Sequence, residues 1–212
     1  MGHDGLSALL GRQSIFRTSD LVAAGLTKRQ IAQAVADGAI VRAGMPGYPE
    51  RGIYAAPGAD NDPDYSDCMV MVATGGSGII ALQTASRRHG LTTALPHRWD
   101  VLVPRDMLVQ KPYLRVVRPR RPESFTVGIE EQATELGIPI RITSRARTVV
   151  DLMRARDTNS DDWRHGIEAL HTYLGENGDA TELLDVAGEF EQGLRATVET
   201  AIHAYTPGGY EP

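Results

Sequence analysis

The sequence predicts an α+β protein, with an N-terminal winged helix-turn-helix followed by a mixed α/β domain that has a helical C-terminal end. Two short helical patterns separated by glycine precede a Gly- and Pro-rich hairpin between residues 15 and 57. Short apolar runs bounded by turn residues predict strands at residues 99–103, 114–117 and 125–129. The alternation at residues 138–142 predicts a further strand, which Pro139 places at a sheet edge, and Ser144 is expected to cap a helix after it. Beyond residue 160, apolar side chains recur at helical spacing. After a cap at Asp179 they predict one long helix, and the tail at residues 207–212 is expected to be frayed. The buried stripe expected on that helix is Leu183, Ala187, Phe190, Leu194, Val198 and Ile202. We therefore expect two domains, residues 1–58 and residues 59–212.

The first domain begins with two helices joined by a tight turn. Thr18 or Ser19 is expected to cap a short first helix. Gly25 ends that helix, because glycine readily adopts the left-handed conformation. Thr27 then caps a second helix over residues 28–37.

A hairpin follows the second helix. Ile40 and Val41 begin its first strand, and residues 52–55 form its second strand. The segment between them, residues 43–51, is rich in Gly and Pro and predicts a long turn. Two helices, a tight turn and a basic hairpin in this order are typical of a winged helix-turn-helix, whose second helix enters the DNA major groove.

The second helix has an apolar side and a polar side. Ile31, Ala34 and Val35 fall on one side at helical spacing, so that side is expected to pack into the domain. Arg and Lys bind phosphate or guanine, and Gln pairs with adenine. The candidate DNA-binding residues are Thr27, Lys28, Arg29, Gln30 and Gln33 on the helix, and Arg42 and Arg51 on the hairpin. The alternative is an ordinary helical hairpin with a solvated polar face.

Several short motifs resemble those of a known family. F-x-T-x-D-L-x-x-x-G-L-x-x-x-x-I runs from Phe16 to Ile31, G-x-I-x-R from Gly38 to Arg42, and G-I-Y-A-x-P from Gly52 to Pro57. Further matches are Ala81-Leu82, His89-Gly90-Leu91 and Arg147-Thr148-Val149-Val150-Asp151-Leu152. In their order and spacing these motifs, which span roughly residues 14–155, resemble AbiEi-type antitoxins. The segment 43–51 departs from the family pattern because it is longer than the short wing loop expected there.

The resemblance implies an antitoxin of a type IV toxin–antitoxin system. Such antitoxins bind their own operator DNA as repressors and neutralise a nucleotidyltransferase-like toxin encoded downstream. Operator DNA and a cognate toxin are therefore the partners that the resemblance implies. Inverted-repeat operators require two copies of the DNA-binding domain, so a homodimer on DNA is a further expectation.

Charge is unevenly distributed along the chain. The formal net charge is −5, but residues 1–150 hold 18 basic and 14 acidic side chains, whereas residues 151–212 hold 4 basic and 13 acidic ones. The acidic end is expected to avoid phosphates, which leaves it available for another protein or for dimerisation.

Five arginines are candidates for a second basic patch in the second domain. They are Arg118, Arg120, Arg121, Arg145 and Arg147. The first three belong to the densest positive stretch of the chain, residues 115–121. An ion pair between Arg147 and Asp151, four residues apart on one helix, is the alternative role for Arg147.

Neither a catalytic set nor a metal-ligand set is recognisable in the sequence. The histidines lack metal-ligand spacing, and the Gly75–Gly78 turn is not followed by the Lys-Ser/Thr of a nucleotide-binding loop. Cys68, the single cysteine, is expected to be a core thiol. We expect no enzymatic activity, no cofactor and no metal. Without an apolar run of about 20 residues or a secretory signal, the chain is expected to be cytoplasmic with no membrane partner.

Three functions remain open at this level. The leading one is an antitoxin that also acts as an autorepressor. The alternative is a stand-alone winged-helix transcriptional regulator with no toxin partner, and the third is an enzyme of unknown chemistry with a DNA-targeting domain. An overlapping downstream reading frame for a nucleotidyltransferase would favour the first.

Overall fold

The computed structural model describes residues 2–119, 121–154 and 160–205 as a mixed α and β protein. The helices are α1 (Gly2–Leu10), α2 (Thr18–Ala23), α3 (Lys28–Ala36), α4 (Tyr65–Ala73), α5 (Leu82–Arg88), α6 (Arg145–Arg154), α7 (Ser160–Gly175), α8 (Ala180–Gly188) and α9 (Gln192–Tyr205). The strands are β1 (Ile15–Arg17), β2 (Val41–Met45), β3 (Tyr48–Ala55), β4 (Ile79–Ile80), β5 (Trp99–Leu102), β6 (Leu114–Val117), β7 (Ile129–Gln132) and β8 (Ile140–Thr143). No helix in these ranges is both long enough and apolar enough to cross a membrane.

The chain divides into two compact units. The first unit is Met1–Gly78 with Glu131–Ile140, and the second is Ile79–Glu130 with Arg141–Pro212. The first unit therefore runs to Gly78, whereas the sequence predicted a domain boundary after residue 58. The reason is α4, which packs on β1 and β2. Its Tyr65 hydroxyl lies within hydrogen-bond distance of both the N–H and the carbonyl of Gly44, at 3.3 and 3.2 Å.

The first unit has a three-stranded antiparallel sheet in the order β1-β3-β2. Its core is formed by apolar side chains from α1, β1, α2 and α3 and from the segments that follow α2 and α3. The buried members are Leu6, Leu9, Phe16, Leu21, Leu26, Ile31, Ala34 and Ile40, and Val35 is partly buried against them. The apolar side predicted for the second helix is thus confirmed.

The start of α2 differs from the expected cap. Neither Thr18 nor Ser19 is the N-cap; Arg17 occupies that position, and its N–H donates to Asp20 at 2.7 Å. The Thr18 hydroxyl instead donates to the carbonyl of Gly52 at 3.1 Å, so it ties α2 to β3. The predicted caps were wrong because the Thr18 hydroxyl makes a contact distant in sequence, and the Ser19 hydroxyl donates to Asp20 at 3.3 Å.

The turn of the hairpin is shorter than predicted, and its second strand is longer. β3 begins at Tyr48 rather than at residue 52, and residues 46 and 47 form the turn between β2 and β3. The register shifts between Arg42 and Gly44, so the hairpin is irregular there. A Cβ atom on Gly44 would lie 2.7 Å from the Cα of Pro49, so the close approach of the two strands requires glycine.

A second sheet has five strands in the order β6-β5-β4-β8-β7. Two strand expectations are corrected here. The strand predicted at residues 125–129 begins only at Ile129, because residues 122–125 form a turn of 3-10 helix. The strand around Ile140 was predicted at an edge because of Pro139, yet β8 lies between β4 and β7. Pro139 precedes β8, so the strand itself loses no N–H donor.

The helical end completes the core of the second unit. The sequence predicted one long helix, but α8 ends at Gly188 and α9 begins at Gln192. Asp179 caps α8 by accepting from the Thr181 N–H at 2.7 Å. The predicted apolar stripe is buried, with Leu183, Ala187, Phe190, Leu194, Val198 and Ile202 packed against side chains of α6. The tail at residues 207–212, predicted to be frayed, lies outside the described part of the chain.

Asp162 joins α7 to the second sheet. Its carboxylate accepts from Arg115 on β6 at 2.9 Å and from the Gln83 side chain on α5 at 2.6 Å. Arg115 also pairs with the buried Asp100 on β5. Arg115, the first residue of the densest positive stretch, therefore serves an internal ion-pair network.

His89 makes stability sensitive to pH. Its Nε2 donates to the Thr143 carbonyl at 2.7 Å, and burial lowers its pKa below the ordinary value. A lowered pKa in the folded state favours the neutral ring, so the stability that this group contributes is present above the unfolded-state pKa. It is lost as pH falls through the folded-state pKa.

We expect His89→Gln to reduce this pH dependence. The variant should be less destabilised than the wild type when the pH falls from about 7.5 to about 5, because glutamine keeps a donor near Thr143 and does not titrate. Urea denaturation of both proteins at the two pH values measures the difference. An identical change in the free energy of unfolding would show that His89 is not the group responsible.

Candidate nucleic-acid interface

The N-terminus of α3 is fixed by a capping box. The Thr27 hydroxyl accepts from the Gln30 N–H at 3.3 Å, which confirms the predicted cap. In return, the Gln30 side-chain oxygen accepts from the Thr27 N–H and hydroxyl at 2.9 and 2.8 Å. Both residues are exposed, but their oxygens stabilise the helix start. Gln30 can pair bidentately with adenine only if the cap opens.

Gln33 is exposed and also has a partner within its own helix. Its amide nitrogen donates to Asp37 at 2.7 Å. Asp37 is the C-cap residue of α3, so this bond spans one helical turn. A base contact by Gln33 therefore competes with a hydrogen bond to a carboxylate.

Four cations of the first unit are exposed and have no acidic partner in the part of the chain that the structure describes. They are Lys28 and Arg29 at the start of α3, Arg42 on β2, and Arg51 on β3. Their charges are therefore not neutralised by described carboxylates. A surface with such cations attracts phosphate.

The two hairpin arginines line the same groove. Arg42 and Arg51 border a cavity of about 840 Å³ together with the aromatic side chains of Tyr48 and Tyr54. The groove is built entirely from residues 42–54. The Thr18 bond to Gly52 holds its β3 side against α2.

Three candidates of the second basic patch make contacts within the second unit. Arg145 pairs with Glu176 and lies 5.9 Å from the ring centre of Tyr173. Arg118 and Arg121 donate to the carbonyls of Met107 and Phe190 at 3.0 and 3.2 Å. Arg120 lies outside the described residues. Arg118, Arg121 and Arg145 are thus held by contacts within their own unit.

Arg147 is a clear departure from the basic-patch hypothesis. Its side chain is 1% exposed and bonds to Asp151 at 2.7 Å, so the alternative role as a helix ion pair is confirmed. Its guanidinium lies 4.4 Å from the ring centre of Phe190 and also donates to the Ser124 and Val127 carbonyls. Arg147 cannot reach DNA from this position, because its guanidinium is buried inside the unit. The sequence showed the spacing to Asp151 but not the burial.

The glycine turn after α4 has little capacity for phosphate. The N–H groups of Gly75, Gly76 and Ser77 donate to the carbonyls of residues 72, 71 and 74, at 3.2, 2.8 and 3.2 Å. A phosphate cradle requires such groups to point outward. This turn therefore ends α4.

Cys68 is buried in the first unit, as predicted. Burial raises the pKa of its thiol to about 11, so the thiolate is disfavoured at neutral pH. Within residues 2–119, 121–154 and 160–205, no three His, Cys, Asp or Glu side chains are arranged to hold a metal ion.

Similarity to known proteins identifies no family. No protein-family model matches this chain, and no curated protein matches it.

Proposed function

We propose that this protein is a DNA-binding antitoxin that represses its own operon and neutralises a nucleotidyltransferase-like toxin. The observation that carries the DNA-binding half is the set of four exposed cations, Lys28, Arg29, Arg42 and Arg51, without described acidic partners. The toxin-directed half follows from the resemblance to AbiEi-type antitoxins, together with the acidic C-terminal end.

In this proposal, residues 15–55 act as a winged helix-turn-helix. α2 and α3 are joined by a turn at Gly25, whose φ of +88° lies in the left-handed region. α3 is the recognition helix, and the β2–β3 hairpin is the wing. The capped N-terminus of α3 carries Lys28 and Arg29, so the helix dipole and two cations act on the same phosphate or guanine.

The C-terminal end of the chain carries a negatively charged surface, opposite in sign to the cations of the first unit. Exposed carboxylates recur along α8 and at both of its ends, at Asp179, Glu182, Asp185, Glu189 and Glu191. Among them, Asp185 pairs with Arg195 at 3.5 Å and Glu182 accepts from the Tyr173 hydroxyl at 2.7 Å. A toxin that binds RNA needs a basic surface, and an acidic face attracts it by long-range electrostatics.

Arg29→Ala tests DNA binding. We expect it to weaken binding to the DNA upstream of the gene by about 1–3 kcal/mol and to reduce discrimination against scrambled DNA. Arg195→Ala is the matched control, because it removes the same charge from an exposed helix position of the second unit. A fluorescence polarisation titration at several salt concentrations measures affinity and the salt slope. Equal affinity of the wild type for operator and scrambled DNA would overturn the specific-repressor proposal.

Comparing Gln33→Ala with Gln30→Ala distinguishes loss of a base contact from loss of helix stability. If Gln33 leaves Asp37 to contact a base, the variant should lose preference at one operator position while keeping its affinity for scrambled DNA. Gln30→Ala should instead lower the stability of α3 by about 1 kcal/mol through loss of the cap. Binding to operators with single base changes, alongside thermal denaturation, distinguishes the two effects.

A further inference from the structure

The groove in the β2–β3 hairpin results from an irregular strand register. The pairing moves from Arg42 opposite Tyr54 to Gly44 opposite Pro49, so a single residue of β2 lies opposite residues 50–53 of β3. The extra residues of β3 bulge out of the ladder, and all four line the groove. Its volume of about 840 Å³ lies in the usual range of ligand sites, roughly 300–1,000 Å³.

Both sides of the groove are held by hydroxyl groups from other elements. On the β2 side, the Tyr65 hydroxyl lies 3.3 and 3.2 Å from the N–H and the carbonyl of Gly44. On the β3 side, the Thr18 hydroxyl donates to the carbonyl of Gly52 at 3.1 Å. Gly52 has a φ of +75°, a conformation that favours glycine. The groove is therefore preformed, and a ligand does not have to supply the free energy of ordering it.

The lining combines cations with aromatic rings. Arg42 and Arg51 are exposed and have no acidic partner among the described residues, and Glu50 is the single acid of the lining. Tyr54 lies opposite Arg42 in the ladder, so both side chains lie on the same face of the sheet. Tyr48, near the tip, is 43% exposed. Exposed rings beside guanidinium groups suit a ligand with a flat ring system and a negative charge.

The tip of the hairpin is poorly suited to the backbone of a duplex. Residues 43–50 contain no Lys or Arg, and they contain one acid. Pro46 and Pro49 are exposed on either side of Tyr48. In a duplex the faces of the bases are stacked on one another, so a duplex offers no base face to this ring. An unpaired nucleotide offers both the face of its base and its phosphate.

We propose that the hairpin groove binds unpaired nucleotides of a single-stranded nucleic acid. A base stacks on Tyr48, and Arg42 and Arg51 bind the adjoining phosphates. Stacking uses the face of the base, so the site tolerates different sequences. Single-stranded DNA and RNA share this base and phosphate chemistry and differ in the 2′-hydroxyl. This activity goes beyond repression of an operon, because it requires neither a duplex operator nor α3.

Single-strand affinity of the full chain tests the proposal. Fluorescence polarisation with labelled oligothymidylate and oligouridylate of about 12 nucleotides measures the two dissociation constants. Similar constants show that the base and the phosphate are recognised, and a clear preference identifies DNA or RNA as the ligand. A wild type that binds both strands more weakly than about 100 µM at physiological salt overturns the proposal.

Tyr48→Leu tests the stacking contact. The variant keeps an apolar side chain at an exposed position, so its circular dichroism spectrum should match that of the wild type. Its affinity for oligothymidylate should fall about tenfold, because the ring is lost. Tyr48→Phe is the matched control, since it keeps the ring and should bind like the wild type. An unchanged affinity of Tyr48→Leu for oligothymidylate contradicts the proposed contact.

The binding of duplex DNA separates this site from the proposed operator site. Tyr48→Leu should weaken the binding of oligothymidylate much more than the binding of duplex DNA from upstream of the gene. A wild type that binds oligothymidylate but does not distinguish operator from scrambled duplex contradicts the repressor function and supports this site. Photocrosslinking of an oligonucleotide that contains 5-iodouracil locates the contact. The adduct should lie on the tryptic peptide 43–51, which contains Tyr48, and an adduct confined to other peptides overturns the proposal.

Discussion

Asp151→Ala should lower the free energy of unfolding by about 3–5 kcal/mol, a larger loss than we expect from breaking any exposed ion pair of the chain. Asp151 is the only carboxylate among the described residues that pairs with the buried guanidinium of Arg147, at 2.7 Å. Removing it leaves a positive charge inside the second unit with carbonyl and ring contacts alone. Arg154, which lies 3.4 Å from Asp151 and 4.8 Å from the ring centre of Phe190, adds a second cation nearby.

Urea denaturation followed by circular dichroism measures this loss. Glu176→Ala is the control, because it breaks the exposed pair with Arg145 and should change stability by at most about 1 kcal/mol. The double variant Arg147→Met with Asp151→Leu should recover most of the lost stability, because it removes the charges together. Equal effects of Asp151→Ala and Glu176→Ala would contradict the role assigned to burial.

Ending the chain after Met153 should unfold the second unit. This removes α7, α8 and α9, whose buried side chains form a large part of its core with α6. Loss of even one such side chain costs about 2–5 kcal/mol, which approaches the whole stability of a typical domain. The truncated chain should therefore lose helicity beyond the residues removed and fail to protect cells from the toxin. A cooperative unfolding transition of the second unit in the truncated chain would contradict this expectation.

Truncation cannot test the acidic surface, because it also destroys the core. Charge reversal at Glu189 and Glu191 does test it, since both side chains are exposed. We expect Glu189→Lys with Glu191→Lys to fold normally and to lose protection, while operator binding persists. Glu123→Lys with Glu130→Lys is the matched control, because these exposed acids lie outside the helical end. Full protection by the first pair would show that the helical end serves only as structure. Asp162 is unsuitable for this experiment because it is buried in the pair with Arg115.

Elements with strong local signals were predictable from the sequence. Thr27 as the cap of α3, Ser144 before α6, and the apolar spacing of α7 all depend on neighbours within a few residues. The candidate cations of α3 were also predictable as exposed, because the opposite side of the helix carries the apolar residues. What these cations bind stays a prediction.

The tertiary structure decided the roles of residues whose partners are distant in the chain. The Thr18 hydroxyl donates to the carbonyl of Gly52. The Tyr65 hydroxyl donates to the carbonyl of Gly44, so α4 belongs to the first unit. Arg147 became an internal cation because Phe190, from the far end of the chain, covers it. Local spacing fixes which way a side chain leaves its own helix. Only packing against distant elements fixes whether that side chain meets solvent or protein, and therefore whether its charge is available to a ligand.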